Sequence, residues 1–155
     1  MRSPWLRAGV VVGLVLLVDQ VTKALVRSGV DVGSEDPVLP GVSIVHVRNR
    51  GVAFGALADG QTLVIVVITL ALVALIAYFA THVDRPLAWL PTGLLLGGAV
   101  GNVLDRVRAG SVTDFIKLPA WPAFNVADVA ITFGVLALLY VVERRPQDDG
   151  NARPA

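Results

Sequence analysis

Four long apolar stretches dominate this sequence, and each is about as long as a bilayer is thick. They cover residues 7–27, 60–83, 86–104 and 124–142. An α-helix needs roughly 20 predominantly apolar residues to cross the hydrocarbon core. The apolar residues come in blocks rather than as a stripe on one helix face, which indicates lipid as the solvent. The sequence therefore predicts an integral membrane protein, mainly α, with four transmembrane helices.

Composition narrows the function further. Apolar residues make up 55% of the chain and charged residues 16%, whereas a soluble domain carries about 25% charged residues. The net charge is +1 and the 13 Lys and Arg are scattered, so no basic face for nucleic acid is expected. There is no cysteine, and His46 and His82 lie far apart without an HExxH motif. We therefore expect neither a thiol nor a metal or other cofactor.

The length of 155 residues allows one domain, which we predict to be a four-helix unit over residues 1–145. The polar, Pro-containing tail at 146–155 is predicted to be disordered. The first stretch could instead be a cleaved signal peptide, but Asp19, Gln20 and Lys23 follow its apolar core in place of a small-residue cleavage site. Arg and Lys are equally frequent on the two sides, so the positive-inside rule leaves the orientation open.

Two links fall on the same side of the predicted helices, at residues 28–59 and 105–123. Each contains a β-branched run, VSIVHV at 42–47 and SVTDFI at 111–116, which predicts a short strand. We expect a small sheet at the membrane surface, because unpaired backbone cannot face lipid. In the third stretch, Gly93, Gly97 and Gly101 are spaced by four and favour close helix packing.

Polar residues from four places in the chain converge on that same membrane face. Ionisable residues inside a span are costly and are therefore functional candidates. Asp128 lies about one turn inside the fourth stretch, far from other charges in sequence, and is hard to explain as scaffolding. Asp19 and Lys23 are four apart, so they either pair on a helix face or serve the site. Asp105, Arg106 and Arg108 form a charge cluster that ends the third stretch.

Five sequence blocks in a fixed order carry a family resemblance. They are DQVTK at 19–23, NRGVAF at 49–54, GGAVGNVLDR at 97–106, VTDFI at 112–116 and FNVADVAI at 124–131. Together with the four-span frame, these blocks resemble the lipoprotein signal peptidases, also called signal peptidase II, from residue 7 to residue 142.

The resemblance implies four transmembrane helices with a small extracytoplasmic β-cradle and a short surface helix. It places the protein in the bacterial cytoplasmic (inner) membrane, with both termini in the cytoplasm and the active site near the outer face. The implied reaction removes the signal peptide of a prolipoprotein by cleaving before a diacylglyceryl-modified cysteine. The implied partners are that substrate and membrane lipid, and a monomer is expected.

The resemblance also assigns roles to the clustered residues. The catalytic aspartates of the family align on Asp114 and Asp128. Five positions are implied to bind substrate near that pair, and four others to support the site. The binding positions are Asn49, Gly51, Asn102, Arg106 and Asn125, and the supporting positions are Asp19, Gln20, Lys23 and Asp105.

Two close carboxylates suit peptide hydrolysis, since one can hold a proton while the other accepts one. The alternatives are a non-enzymatic membrane assembly factor and a small proton-coupled carrier that uses Asp19, Lys23 and Asp128. A carrier predicts polar residues spread through the membrane depth, whereas here they crowd one face. Three aromatic residues could line the rim of the site or anchor the protein at the interface, and these are Phe54, Trp121 and Phe124.

Overall fold

The computed structural model describes residues 3–50 and 60–143. The elements, in chain order, are α1 (Pro4–Gly29), β1 (Glu35–Leu39), β2 (Val42–Asn49), α2 (Gly60–Thr81), α3 (Trp89–Ala109), β3 (Val112–Lys117) and α4 (Val126–Glu143). The prediction of a mainly helical chain with a small sheet is confirmed. None of the elements in these two ranges corresponds to the short surface helix. Gly51, Phe54 and the tail at 146–155 lie outside the described residues.

Three of the four predicted spans are helices long and apolar enough to cross a membrane. They are Pro4–Gly29, Thr62–Thr81 and Val126–Glu143, counted over the described part of the chain. The third predicted span, 86–104, is displaced, because α3 begins at Trp89 and continues to Ala109. At about 1.5 Å per residue, its 21 residues are also long enough for a bilayer. Its last turns carry Asp105, Arg106 and Arg108, which lower its apolar character.

Helix α3 lies at the centre of the bundle and packs against α1, α2 and α4. Its glycines allow this contact. A Cβ atom on Gly97 would lie 2.8 Å from the Cβ of Val15, and one on Gly101 would lie 2.7 Å from Oδ2 of Asp19. The prediction of close helix packing at the glycines spaced by four is therefore confirmed.

The strands form one antiparallel sheet in the order β1-β2-β3. The strands β2 and β3 were predicted, but β1 was not. All five residues of β1 are exposed, and the strand contains two acids and Pro37, residue types that strands usually avoid. Leu39 pairs with Val42 across Pro40 and Gly41, and Gly41 has φ +77°. This Pro-Gly pair is the one sequence signal of the hairpin.

Two local features bring β3 next to the start of α4. Gly110 adopts the left-handed conformation, donates its N–H to the carbonyl of Arg106 at 3.0 Å and ends α3, as a glycine C-cap does. The chain then enters β3, whose Ile116 pairs with Phe124 just before α4. As a result, Asp114 on β3 and Asp128 on α4 lie at the same end of the bundle.

Candidate active site

Asp114 lies in the middle of β3 and is only 2% exposed. Its Oδ1 accepts a hydrogen bond from Nδ2 of Asn125 at 2.7 Å. Its Oδ2 accepts one from Nδ2 of Asn49, on the neighbouring strand β2, at 2.9 Å. Both oxygens of this buried carboxyl group are therefore satisfied by amide donors.

Asp128 lies in the first turn of α4 and is half-buried. Its Oδ2 accepts the backbone N–H of Asn125 at 3.2 Å, and Oδ1 of Asn125 accepts the backbone N–H of Asp128 at 3.0 Å. This reciprocal pair is a capping box at the start of the helix. Nδ2 of Asn102 donates to Oδ1 of Asp128 at 2.8 Å.

Two asparagine amides join the aspartates. Nδ2 of Asn125, which contacts Asp114, also lies 3.2 Å from Oδ1 of Asn102, and Asn102 in turn donates to Asp128. A continuous chain of hydrogen bonds therefore runs from one carboxyl group to the other. The structure thus brings together four residues that the sequence placed near one membrane face.

The surroundings raise the pKa of Asp114. Burial is the main cause, because it disfavours the charged form. The hydrogen bonds from Asn49 and Asn125 act in the opposite direction, the negative charge of Asp128 raises the pKa, and the more distant Lys23 lowers it. The net shift is upward, so Asp114 holds a proton more readily than an exposed aspartate does.

A cluster of ion pairs and hydrogen bonds lies next to the aspartates. It contains all four residues predicted to support the site, which are Asp19, Gln20, Lys23 and Asp105. Nζ of Lys23, which is fully buried, lies 2.9 Å from Oδ2 of Asp19 and 3.0 Å from Oδ2 of Asp105. Nε2 of Gln20 donates to Oδ1 of Asp105 at 3.2 Å. Asp19 also accepts the backbone N–H of Ala127 at 3.0 Å, so it too caps α4. Asp19 and Lys23 do pair on the face of α1, which is one of the two alternatives that their spacing left open.

The sequence interpretation missed two members of this cluster. Nη1 of Arg27 lies 3.7 Å from Oδ1 of Asp105 and donates to Oγ1 of Thr113 at 3.2 Å. The backbone N–H of Thr113 donates to Asp105 at 3.2 Å. Arg27 follows Lys23 by four residues and therefore shares its helix face, a spacing that could have indicated it. The contacts of Thr113 depend on the pairing of β3 in the sheet, so no local sequence pattern could have indicated them.

Arg106 lies one turn beyond Asn102 and donates from Nη1 to its carbonyl oxygen at 3.2 Å. Its charge acts on Asp128 and Asp114. Both Arg106 and Asn102 stand at one end of a groove of about 600 Å³ between α2, α3 and α4. Most other lining side chains are apolar, and Tyr78 lines the groove further along α2. The polar site is therefore continuous with an apolar groove.

Of the three aromatic residues considered for the rim, Trp121 and Phe124 lie between β3 and α4, and Phe54 lies outside the described residues. Trp121 is 62% exposed, and Phe124 is half-buried and bonded to β3. Lys117 donates to the carbonyl of Trp121 at 2.9 Å. No group of three metal-ligating side chains occurs within the two described ranges.

The fold and the site define an integral membrane protein with two linked aspartates in a buried polar centre. The family model of signal peptidase (SPase) II matches residues 11–143. A lipoprotein signal peptidase of Moorella thermoacetica is 43% identical over 129 residues, which are 82% of this chain and 86% of the relative. A lipoprotein signal peptidase of Halothermothrix orenii is 36% identical over 142 residues, which are 90% of this chain and 98% of the relative.

Solved structures agree with these sequence relatives. A bacterial membrane enzyme determined by the in meso method at 2.3 Å matches with a TM-score of 0.80 and 30% identity, over 93% of this chain and 94% of that chain. The chain belongs to the signal peptidase II family and is therefore a peptidase.

Proposed function

We propose that this protein is an aspartic-type endopeptidase with Asp114 and Asp128 as its catalytic pair. Its substrate would be a prolipoprotein, cut just before a diacylglyceryl-modified cysteine. The chief support is the hydrogen-bonded chain that joins the two carboxyl groups through Asn125 and Asn102. The names of its relatives, lipoprotein signal peptidases, support the substrate class.

The chemistry needs one proton shared by the pair. The ionised carboxylate accepts a proton from water while the water oxygen attacks the scissile carbonyl carbon. The protonated partner donates to the carbonyl oxygen, which gives a neutral tetrahedral intermediate. Its collapse breaks the C–N bond, and a proton passes to the leaving amine. The raised pKa of Asp114 favours a proton on the pair, and because the two groups titrate together, neither is given a fixed role.

The groove supports an apolar, membrane-bound substrate. It begins at Asn102 and Arg106 and runs between three helices along mostly apolar side chains. An apolar part of the substrate that lies in this groove would bring the scissile bond to the aspartates. Asn49, Arg106 and Gly51 are proposed to contact the peptide there. The side-chain amides of three asparagines already donate to the two aspartates, and these are Asn49, Asn102 and Asn125. These amides therefore also keep the catalytic pair in position.

We propose that α3 is the fourth transmembrane helix. It is long enough and lies between the other helices. Four spans would put both termini in the cytoplasm and the sheet and active site at the outer face of a bacterial inner membrane. Residues 1–145 would form a single monomeric domain followed by a cytoplasmic tail.

The test is cleavage of a diacylglyceryl-modified prolipoprotein by the purified protein in detergent. Asp114→Asn and Asp128→Asn should each lower kcat by roughly 10²–10⁴-fold, the usual contribution of a general acid or base. Asp31→Asn, at an exposed position after α1, is the matched control and should cleave normally. Cleavage should also survive a chelator and require the lipid on the substrate.

Full activity in both variants would contradict the catalytic pair and favour an assembly factor. Proton flux into vesicles that depends on Asp19, Lys23 and Asp128, without cleavage, would instead support a proton-coupled carrier.

A further inference from the structure

Lys23 makes one contact that charge neutralisation does not require. Besides Asp19 and Asp105, its Nζ donates to Oδ1 of Asn102 at 3.0 Å. An ammonium group has three donors and no acceptor, so these three partners use all of them. The two carboxylates already carry more negative charge than is needed to neutralise this fully buried lysine. The third partner is a neutral amide, whose orientation depends on the contact.

The ammonium group fixes which way the Asn102 amide points. Because Lys23 can only donate, the atom of Asn102 that faces it must be the oxygen. The amide nitrogen must then face Asp128, where it donates at 2.8 Å. In the opposite orientation the amide oxygen would face a carboxylate and the amide NH₂ would face an ammonium group. Both contacts would be repulsive.

The orientation of the Asn102 amide also limits the orientation of the Asn125 amide. Oδ1 of Asn102 faces Nδ2 of Asn125 at 3.2 Å. That nitrogen also donates to Asp114 at 2.7 Å, and Oδ1 of Asn125 accepts the backbone N–H of Asp128. Oδ1 of Asn102 therefore accepts from both Lys23 and Asn125, and the Nδ2 of each asparagine donates to one of the two aspartates.

We propose that Lys23 is a positioning residue of the reaction, whose ammonium group sets the amide orientation of Asn102 and, through it, of Asn125. Each aspartate thereby receives an amide N–H. Lys23 does not touch the reacting atoms. The proposal rests on the proposed function, since it concerns the same pair of aspartates.

A charge-neutral double variant separates orientation from simple electrostatics. Lys23→Met with Asp19→Asn removes one cation and one anion, while Asp105 keeps Gln20, Arg27 and the N–H of Thr113. With no donor fixing it, the Asn102 amide can turn its oxygen toward Asp128. The pair of aspartates then loses one amide donor. Because such a donor favours the charged form, the pair should keep its proton to higher pH, and the pH–kcat profile should move to higher pH.

The readouts are kcat, KM and the pH profile, all per folded protein as judged by thermal unfolding in detergent. The kcat should fall on the order of tenfold to a hundredfold, as when an outer hydrogen-bond partner is lost. KM should stay within about twofold, because Lys23 is buried away from any substrate contact.

Two further variants complete the comparison. Lys23→Gln with Asp19→Asn presents an amide that can offer either atom to Asn102, so its kcat should fall between those of the wild type and the Met variant. Arg27→Gln removes a cation from the same cluster without touching Asn102, and its pH profile should match the wild type. Arg106 is left unchanged throughout, because its charge also faces both aspartates.

The outcomes are distinct. A wild-type kcat and pH profile in the Gln double variant, or in a folded Met double variant, would overturn the positioning role. If the Met variant does not fold, the Gln variant decides alone. A wild-type protein that cleaves no prolipoprotein would refute the proposed function instead.

Discussion

Opposing influences act on the pKa of the Asp114 carboxyl group. Burial and the charge of Asp128 favour its protonated form, while amide donors on both oxygens favour the ionised form. The pKa is raised because burial prevails. A pair of this kind is active only while it holds one proton, which predicts a bell-shaped pH profile.

Replacing Asn49 by Ala should shift that profile. A donor to a carboxylate stabilises the charged form and lowers the pKa. Without Nδ2 of Asn49, the pKa of Asp114 rises further and the pair keeps its proton to higher pH. Both limbs of the kcat profile should therefore move to higher pH. Ser43→Ala, on the same strand but opposite Lys117, is the control, and an Asn49→Ala profile that overlays it would contradict the assignment.

At the level of single residues, the sequence indicated which polar residues gather at one end of the helices, but not which of their atoms make contact. The spacing of Asp19 and Lys23 indicated their ion pair. The third bond of Lys23, to Asn102, joins residues 79 apart in sequence and follows only from the packing of α3 on α1. The amide orientations likewise need the full network. No local pattern encodes which atom of an asparagine faces an ammonium group.

Among the elements, α3 controls the geometry of the site. Its glycines let α1 approach until Asp19 lies against Gly101, and this contact places Lys23 beside Asn102. The start of α4 is capped by Asn125 from within and by Asp19 from α1. At its glycines, α3 therefore comes close to both helices, and side chains such as Val15 of α1 and Ile131 of α4 pack directly on its backbone.

Gly101→Ala should weaken this arrangement. The added Cβ atom would lie 2.7 Å from the Asp19 carboxylate, and overpacking of this kind costs about 1–3 kcal/mol. We expect a lower thermal unfolding temperature in detergent and lower activity. Gly13→Ala is the matched control, since a Cβ there has no neighbour within 4 Å. Equal unfolding temperatures for the two variants would show that the close approach of α1 to Gly101 does not contribute to stability.

Helices were easier to predict than strands in this chain. Long apolar blocks and glycines spaced by four are strong local signals. Three of the four predicted spans are helices long and apolar enough to cross a membrane within the described residues, and the close packing at the glycines is confirmed. The strand β1 was missed because its residues are all exposed, so no alternation of buried and exposed side chains marks it. Only its pairing with β2 makes it a strand, and that pairing is set by the turn at Pro40 and Gly41.

For the molecule as a whole, the proposed orientation can be tested directly because the chain has no cysteine. Asp36 in β1 and Asp84 in the link between α2 and α3 are both exposed. In intact cells, a membrane-impermeant maleimide should label Asp36→Cys from outside the inner membrane. It should reach Asp84→Cys only after the membrane is opened. The reverse pattern would mean an inverted topology, and labelling of both from outside would refute a membrane-spanning α2.

The groove between α2, α3 and α4 has a consequence for how substrate reaches the site. Its lining is mostly apolar, and it meets the polar centre at Asn102 and Arg106. A lipid-tethered substrate would therefore enter sideways from the bilayer, by diffusion in two dimensions. The encounter rate would then depend on the mole fraction of substrate among the surrounding lipids. Added detergent would slow turnover by surface dilution, even at a constant amount of substrate per volume of buffer.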